Sequence, residues 1–423
     1  MGGQRTKPGA AGLSIHDVGT RDVTTGDVAR DVFADLVGQE EAVATLRRAA
    51  WAADQVVRGA DAPPGAMTHA WLFTGPAGSG RSVAARAFAA ALQCANQGCG
   101  QCQACHTTLT GTHADVRFVV PEGLTISVAE MRSLVLRAAG APTQGRWQVL
   151  LVEDADRLTE AAANALLKAI EEPPPRTVFL LCAPSTHPDD VPVTIRSRCR
   201  SVILRQPRAD AVARVLIERD GIDPETARWA AAAAQGHVGR ARRLATDEQA
   251  RATRKAVLGI PRKLSGLAAC FDAAAALIEA AEAEAVAVTA DRAEREMAEL
   301  KTALGAGGTG RGAASAARGM AGQIKELERR QKSRATRAQR DALDRALVDL
   351  AGFYRDVLVQ RVGAPVPLVH EDVAEVSQAA AAKWTPEQAL RRIEAILRCR
   401  EAIEANVKPR IAVESMMLSL WRD

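Results

Sequence analysis

The sequence predicts an α/β fold in which a phosphate-binding loop lies on a mostly parallel sheet and helical domains follow. A glycine-rich run, GPAGSGRS from Gly75 to Ser82, comes after an apolar segment and before a helix-forming one. Short apolar segments then alternate with helical patterns to about residue 206, and only helical patterns remain after it. This alternation is typical of a doubly wound sheet whose site lies at the strand C-termini.

The loop departs from its motif at one position. Closely spaced glycines, here Gly75, Gly78 and Gly80, let backbone N–H groups point at phosphate oxygens, and a helix N-terminus adds its dipole. Ser82 keeps the hydroxyl that ligates magnesium, but Arg81 stands where the motif needs lysine. A planar guanidinium fits a cradle for an ammonium poorly. We therefore predict a phosphate loop whose ATP and Mg²⁺ chemistry is in doubt, with a chance glycine-rich turn as the alternative.

The other elements of the α/β region follow from apolar periodicity and turn residues. Residues 33–50 predict a turn and an amphipathic helix, and AWLFT at 70–74 predicts the strand before the loop. Further strands are predicted at 116–120, 148–152, 177–182 and 201–204, and helices at 83–92, 128–138 and 160–172. The last helix ends at three consecutive prolines, which cannot continue it.

The remainder of the chain predicts helices. Short ones are expected at 209–220 and 224–235, and a third opens at 236–244. The glycine-rich stretch at 305–315 follows no strand, so we interpret it as a flexible linker. Charged helical segments flank it at 285–303 and 320–345, and we favour a solvated hairpin over a dedicated DNA contact, because charge runs usually face water.

A cysteine cluster predicts a structural metal site. Cys94, Cys99, Cys102 and Cys105 are spaced C-x4-C-x2-C-x2-C, which in a reducing compartment indicates metal rather than disulfides. Four thiolates close a tetrahedron around zinc and leave no position for a catalytic water. An iron–sulfur cluster is the alternative. We expect the other cysteines to be small buried residues: Cys182, Cys199, Cys270 and Cys399.

Length and composition set further limits. The 423 residues suggest two or three domains, and the net charge of +5 permits a nucleic-acid partner without requiring one. No run approaches the roughly 20 apolar residues that a membrane span needs, and the N-terminus lacks the apolar segment of a signal peptide. We expect a cytoplasmic protein with no membrane partner and a disordered leader at residues 1–28.

An acidic pair follows the strand at 148–152. In an active ATPase this place holds one carboxylate for magnesium and a second that polarises the attacking water. Here Glu153 precedes Asp154, the reverse of the usual order, so the residue at the base position is shorter by about 1.5 Å. Arg81 and this exchange weaken the same chemistry, so we predict a degenerate nucleotide site.

Arg198 lies just before the last predicted strand, in the run Ser197-Arg198-Cys199. An arginine at a sheet edge can reach a nucleotide held by a neighbouring subunit, and such fingers increase the rate about 10³- to 10⁵-fold. From the residues alone, an ordinary surface arginine is the better interpretation.

Seven stretches of the sequence occur in a characteristic order: VGQE, GPAGSGRS, the cysteine quartet, THAD, LLVEDADRLTEAAANALLKAIEEPPP, FLLCAPS and TIRSRCR. Together they resemble the bacterial clamp-loader branch of the AAA+ ATPases, and most of all the delta-prime subunits of DNA polymerase III. The resemblance covers about residues 30–250. It implies a RecA-like AAA+ domain at 29–206 that carries the cysteine module, a helical lid at 207–250, and a helical collar at 251–423. The charged segment at about 285–345 departs from the family and resembles an insertion.

The resemblance also implies a function. Members of this branch form a pentameric ring of gamma/tau- and delta-type subunits that loads the sliding clamp onto primed DNA for DNA polymerase III, a nucleotidyltransferase complex. The delta-prime type has a degenerate nucleotide site and donates an arginine, here Arg198, to its neighbour. Ser185 matches the sensor-1 region and Arg240 the sensor-2 arginine.

Two alternatives stay open at this stage. A gamma/tau-type motor that hydrolyses ATP itself predicts lysine at position 81 and an Asp-Glu pair at 153 and 154, and the chain has neither. A DNA-contacting AAA+ adaptor predicts salt-dependent DNA affinity through the basic region near 318–340.

Overall fold

The structure is a computed structural model that describes residues 31–121, 123–138, 140–303 and 313–422. The predicted leader at 1–28 and most of the predicted linker at 305–315 lie outside these residues. The last three residues of that linker, 313–315, belong to a helix, so the linker prediction is wrong for them.

Five parallel strands form the sheet that positions the site. They are β1 (Ala70–Thr74), β2 (Val116–Val119), β3 (Gln148–Val152), β4 (Thr177–Ala183) and β5 (Arg200–Ile203), in the spatial order β2-β3-β4-β1-β5. The register places Leu72 of β1 opposite Leu181 of β4 and Ser201 of β5. Because all pairings are parallel, the carboxyl ends of the strands meet at one edge.

Alternate residues of the central strands serve two cores, as strand geometry requires. Trp71 and Phe73 of β1 pack into the core on one face of the sheet, whereas Ala70 and Leu72 pack into the core on the other. Strands that are buried on both faces contain near-continuous apolar runs, which is why the sequence identified them.

Six helices accompany the sheet: α1 (Glu40–Val57), α2 (Arg81–Gln93), α3 (Gln103–Leu109), α4 (Val128–Ala138), α5 (Glu160–Glu171) and α6 (Val193–Arg196). A 3₁₀ turn at Ala155–Arg157 follows β3. The predicted fold class, an α/β domain with a parallel sheet behind the loop and with helical regions after it, is confirmed.

The rest of the described chain is helical. The helices are α7 (Ala209–Glu218), α8 (Pro224–Ala233), α9 (Val238–Thr246), α10 (Glu248–Leu258), α11 (Leu267–Ala303), α12 (Ala313–Val362), α13 (Ala374–Lys383), α14 (Pro386–Glu404) and α15 (Pro409–Arg422). Short 3₁₀ turns lie at Ile260–Arg262 and Glu371–Val373. Helices α7 to α9 share a small alanine-rich core, and a larger core joins α10 to α15. None of the described helices is long and apolar enough to cross a membrane.

The charged segments form a longer hairpin than their sequence predicts. Helices α11 and α12 extend well beyond 285–303 and 320–345, and they pack against each other. The extra length of α12 includes apolar positions such as Leu347, Leu350 and Phe353, which are buried in the larger core. The prediction rested on the charged parts of the two helices alone. Burial of the apolar parts in the tertiary structure stabilises the additional turns.

Candidate phosphate-loop site

The loop between β1 and α2 fits only because glycine occupies its tight positions. A Cβ on Gly75 would lie 2.3 Å from the carbonyl oxygen of Leu204, and one on Gly78 would lie 2.7 Å from Cβ of His237. Gly78 also has a φ of +83°, which side chains other than glycine rarely adopt. The loop is thus pressed between the end of β5 and the residue that caps α9.

Gln39, from the VGQE motif, holds the loop from the opposite side. Its amide Nε2 donates to the carbonyl of Ser79 at 3.2 Å and to that of Arg205, while its Oε1 accepts from the Arg205 backbone N–H at 3.1 Å. Gln39 is buried, so this side chain links α1, the loop and the chain after β5 in one rigid unit.

A cavity of about 320 Å³ opens beside the loop. Arg81 and Ser82 line it as the first two residues of α2, together with the loop itself and with Asp35, Arg219, His237 and Arg242. The Nη1 atom of Arg81 is buried and has no hydrogen-bond partner among the described residues. The backbone and charge of the loop therefore suit an anion such as a phosphate group.

The two carboxylates after β3 are already paired with arginines. Arg86 of α2 donates to Oε1 of Glu153 through Nε at 3.0 Å and Nη2 at 2.8 Å, and its guanidinium lies 4.6 Å from the ring centre of Phe118. Arg337 of α12 donates to Oδ2 of Asp154. These four residues form what we call the carboxylate edge: Glu153, Asp154, Arg86 and Arg337.

The carboxylate edge does not fit a magnesium site. Mg²⁺ requires near-octahedral oxygen ligands at about 2.0–2.1 Å, and a guanidinium in contact with each carboxylate repels the ion from it. Asp154 adopts a φ of +53°, in the left-handed region, and has Arg157 Nε at 3.9 Å as a further positive neighbour. The arrangement offers neither a ligand set for the metal nor an unpaired base for water.

A third acid, Asp156, lies close to the same charges. Burial raises its pKa, and the nearby charge of Asp154 raises it further, while Arg157 and Arg81 act in the opposite direction. One oxygen of Asp156 is buried without a partner among the described residues. The sequence pattern did not indicate that this residue belongs to the site.

Two predicted sensor residues have other partners. Ser185 donates its hydroxyl to Oδ2 of Asp190 at 2.6 Å and accepts the His187 backbone N–H, so it stabilises a local turn after β4. Arg240 binds Asp349 of α12, and both side chains are nearly buried. The structure does not bring Arg240 to the phosphate loop, whereas Arg219 and Arg242 line the cavity there.

Arg198 has a different environment. It lies between α6 and β5 with its side chain 40% exposed, and its Nη2 contacts Oε1 of Glu171, which is equally exposed, at 2.8 Å. Its Nη1 donates to the carbonyl oxygen of Thr194 at 2.9 Å and lies 3.3 Å from Oγ of Ser197. The guanidinium is thus held in a defined position while it stays accessible from outside the chain.

The four clustered cysteines come together as a metal site requires. All four sulfur atoms lie within 4.8 Å of one another, with Cys94 Sγ 3.6 Å from Cys99 Sγ and 3.7 Å from Cys102 Sγ. A tetrahedron with Zn–S bonds of about 2.3 Å has S···S edges of about 3.8 Å, so small shifts of the sulfur atoms would close the cluster around zinc. Cys94 ends α2 and Cys102 caps α3, so the module is continuous with the helix of the phosphate loop.

The thiol pKa values within the cluster differ, since burial raises those of Cys102 and Cys105 whereas that of Cys94 is lowered. Burial alone raises the pKa of Cys94, but backbone N–H groups of Cys99, Gly98 and Asn96 outweigh burial and lower the pKa to about 7. One thiolate is therefore readily available to begin coordination. Of the scattered cysteines, Cys182, Cys270 and Cys399 are buried as predicted, whereas Cys199 is only half-buried.

Comparison with known proteins shows which families this chain is similar to. Residues 60–208 match the family model described as DNA polymerase III, delta subunit. Residues 60–208 form a DNA polymerase III domain of the delta and tau/gamma type. The match includes the phosphate loop, the cysteine module, the carboxylate edge except Arg337, and Arg198.

The relatives of this DNA polymerase III domain carry two kinds of name. DNA polymerase III subunit tau of Bacillus subtilis is 32% identical over 184 residues, which is 43% of this chain and 30% of that protein. Subunit gamma/tau of Mycobacterium tuberculosis is 37% identical over 172 residues, 39% of this chain and 27% of that protein. Subunit delta' of Pseudomonas aeruginosa is 41% identical over 137 residues, 31% of this chain and 41% of that protein. The chain thus spans less than half the length of these relatives.

A gamma subunit-related DNA polymerase III protein from Thermotoga maritima is a solved structure similar to this chain. It is 16% identical, and the alignment has a TM-score of 0.36 and covers 88% of this chain and 99% of that one.

Several residues of the site were missed from the sequence. Arg86 lies on the helix that the loop begins, so helical spacing offered a weak signal for its approach to β3. Arg337 had no local signal, because it lies 183 residues from Asp154 along the chain. Gln39 was quoted within its motif, but nothing in the sequence indicated that it holds the loop.

Proposed function

We propose that this chain is a subunit of the DNA polymerase III clamp loader of the delta-prime kind. It keeps the phosphate-loop fold without ATP turnover of its own, and it supplies Arg198 to the nucleotide site of a neighbouring subunit. The family match over residues 60–208 supports the clamp-loader assignment. The chemistry of the loop and of Arg198 supports the delta-prime kind.

The observation that carries the proposal is the pairing at the carboxylate edge. Glu153 is bound by Arg86 and Asp154 by Arg337, so neither acid is available to a metal or to water. Arg81 in place of the loop lysine removes a third part of the hydrolytic machinery. Three independent changes against one reaction are best explained by a site that no longer performs it.

The position of Arg198 supports a role in trans. A finger must be accessible to another chain yet held in place, because a guanidinium that is already oriented loses less entropy when it engages a phosphate. Arg198 meets both conditions: it is substantially exposed, and Thr194 and Glu171 hold its two terminal nitrogens.

The proposal implies partners. The chain would join gamma/tau- and delta-type subunits in a pentameric ring in the cytoplasm, and through that ring it would act on the sliding clamp and primer-template DNA. The helical region from 251 onwards would be the collar that joins the ring, and residues 207–250 the lid. Within a DNA-directed DNA polymerase complex this subunit would perform no nucleotidyl transfer itself.

We also propose that Cys94, Cys99, Cys102 and Cys105 hold a structural Zn²⁺. Four sulfur ligands leave no open position, so the ion would stabilise the segment between α2 and α3 rather than catalyse a reaction. Elemental analysis of the purified chain should give one zinc per chain and no iron. If the chain contained iron and showed the absorption of an iron–sulfur cluster, the cysteines would hold that cluster and not zinc.

A gamma/tau-type ATPase is the second candidate, because relatives with that name match this chain at 32% and 37% identity. The two candidates differ in what the isolated chain does. A motor subunit binds ATP with Mg²⁺ and turns it over, whereas a delta-prime subunit shows no turnover above the buffer and contributes only inside the ring.

The test combines the isolated chain with a reconstituted ring. The purified chain should show no ATP hydrolysis above background, and it should form a stoichiometric complex with tau/gamma- and delta-type subunits that gains clamp-stimulated ATPase activity. Turnover by the isolated chain would favour the second candidate, and failure to join the complex would reject both. Salt-dependent DNA binding by the chain alone, lost on deletion of 285–345, would instead favour a DNA-contacting adaptor.

A further inference from the structure

The hairpin of α11 and α12 contacts the α/β domain at the ends of β2 and β3, beside the phosphate-loop site. Arg337 of α12 donates from Nη1 to the carbonyl oxygen of Pro121 at 2.6 Å and from Nη2 to Oδ2 of Asp154. Ser333, one turn earlier, lies so close that a Cβ on Gly123 would be 3.0 Å from its Oγ. The contact therefore includes backbone packing as well as charge.

The Arg337 contact joins two segments that are themselves paired. Pro121 follows β2 and Asp154 follows β3, and the chain beyond each is linked by backbone hydrogen bonds. The Ile126 N–H donates to the Arg157 carbonyl at 2.8 Å, and the Thr159 N–H donates to the Ile126 carbonyl at 3.2 Å. Arg337 binds Pro121 and Asp154, which precede the two bridged segments, so loss of Arg337 would remove a contact from both segments.

The hairpin is stiff enough to transmit this contact. Arg334 forms a two-point ion pair with Glu296 across the hairpin, with Nη1 to Oε1 at 2.8 Å. Gln331 Nε2 donates to the Ala293 carbonyl at 2.9 Å, one turn along. Two long helices joined by polar bonds at successive turns bend less than either helix would alone.

The opposite end of α12 lies in the large helical core. Leu343, Leu347, Leu350 and Tyr354 are buried there on one face of the same continuous helix. At 1.5 Å per residue, Arg337 is only about 20 Å from Leu350 along the helix axis. A single element thus has one part fixed in the helical core and another bound to the end of β3.

We propose that the α11–α12 hairpin is an interdomain brace, with Arg337 as the residue that anchors it to the carboxyl edge of the sheet. The brace fixes the position of the α/β domain relative to the helical core, and it keeps Asp154 engaged from within the same chain. This assigns a role to the charged segment at 285–345. The inference does not depend on the proposed clamp-loader function, because it concerns contacts within one chain.

An ordinary surface ion pair is the competing explanation. Such pairs contribute about 0–1 kcal/mol, because water screens them and long side chains lose freedom. The side chains of Arg337 and Asp154 are only 19% and 23% exposed, and Arg337 has the Pro121 carbonyl as a second acceptor. Asp154 also has Arg157 Nε at 3.9 Å, so its carboxylate faces positive charge from both sides of the interface. The contact is therefore integral to the interface.

Hydrogen exchange on the full-length chain tests the brace. In Arg337→Ala, the amides of Ile126, Arg157 and Thr159 should exchange at least tenfold faster than in the wild type, because the bridge loses its external support. Arg329→Ala is the matched control: Arg329 lies on the same helix two turns earlier, is exposed, and has Glu326 at 4.0 Å as its ion-pair partner. That variant should leave the three amides unchanged.

A second variant protects the test against a general loss of stability. Asp154→Asn removes the charge from the other side, and asparagine tolerates the left-handed conformation that Asp154 adopts. It should accelerate the same amides, and Arg337→Ala combined with it should add less than twofold to the rate of either single variant. Unchanged exchange in both single variants, or effects that multiply in the double variant, would overturn the brace.

Discussion

Two arginine environments at the α/β domain differ in how deeply the acids that pair with the guanidinium groups are buried. At the carboxylate edge, Arg86 and Arg337 are paired inward with acids that are only 14% and 23% exposed. Arg198 is paired outward with Glu171, and both side chains are 40% exposed. The inward pairs are difficult to exchange, whereas the outward pair exchanges with water and with other partners.

Under the proposed function, this difference would explain how a P-loop fold loses one reaction and keeps another. The arginines from α2 and α12 that pair with the acids of the internal site would leave that site without its chemistry. The outward arginine keeps its charge accessible at almost no stability cost, since exposed ion pairs are worth little. The following changes should affect one environment without the other.

Removal of the metal should have the largest effect, and it should act on the carboxylate edge. Structural zinc binding is worth on the order of 10 kcal/mol, and Cys94 ends the helix that carries Arg86. Chelation should lower the thermal midpoint of the chain and accelerate amide exchange in α2, and added zinc should restore both. A chain freed of metal that melts at the same temperature would contradict the metal site.

Acidification should weaken the ion pairs of Glu296 within the α11–α12 hairpin, and with them the support that the hairpin gives to the carboxylate edge. The hydrogen bonds from Arg334 and Arg292 hold the pKa of Glu296 at about 2, against the partial opposition of burial. A lowered pKa stabilises the fold above the ordinary glutamate value near 4.3, and this stability is lost as the pH falls from there towards 2. The contribution is at most about 3 kcal/mol.

Glu296→Gln provides the comparison for that pH effect. The variant should be less stable to urea than the wild type at pH 7, and the difference between the two should shrink as the pH falls from about 4.3 towards 2. A difference that stays constant with pH would mean that the ion pair of Glu296 contributes nothing to stability.

The sequence predicted features whose residues are close together along the chain, and it missed contacts between residues that are far apart along it. The strands, the loop after β1 and the cysteine quartet are local patterns, and each strand is found within one residue of its predicted bounds. Arg337 and Asp154 are separated by 183 residues, so only the packing of α12 onto the sheet brings them together. Arg240 shows the same limit, because its helical position was visible in the sequence but its partner Asp349 on α12 was not.

Arg81→Lys should change nucleotide binding without restoring turnover. Lysine is the residue that the loop motif requires, so binding of a nucleoside triphosphate should strengthen by about tenfold, or about 1.4 kcal/mol. Hydrolysis should stay at background, because the carboxylate edge is still paired. Equilibrium titration and phosphate release measure the two quantities separately, and turnover in this variant would mean that the edge is not closed.

Glu171→Gln should have the smallest effect. It removes the charged partner of Arg198 but leaves the Thr194 carbonyl as an acceptor. The free energy of unfolding should fall by less than about 1 kcal/mol. In the reconstituted ring, ATP turnover should change by less than about threefold, and a loss close to that of removing Arg198 itself would show that Glu171 is essential for its orientation.

The central claim is that the internal site is closed while Arg198 acts on a neighbouring subunit. Arg198→Ala in the reconstituted ring tests this claim most directly. We predict that clamp-stimulated ATP turnover falls by about 10³-fold while assembly of the ring is unchanged. The matched control is Arg208→Ala, since Arg208 is 87% exposed and has Asp210, two residues along, as an ion-pair partner at 3.3 Å, and it should retain wild-type turnover. Turnover that is equally fast in the Arg198→Ala ring would contradict the outward role.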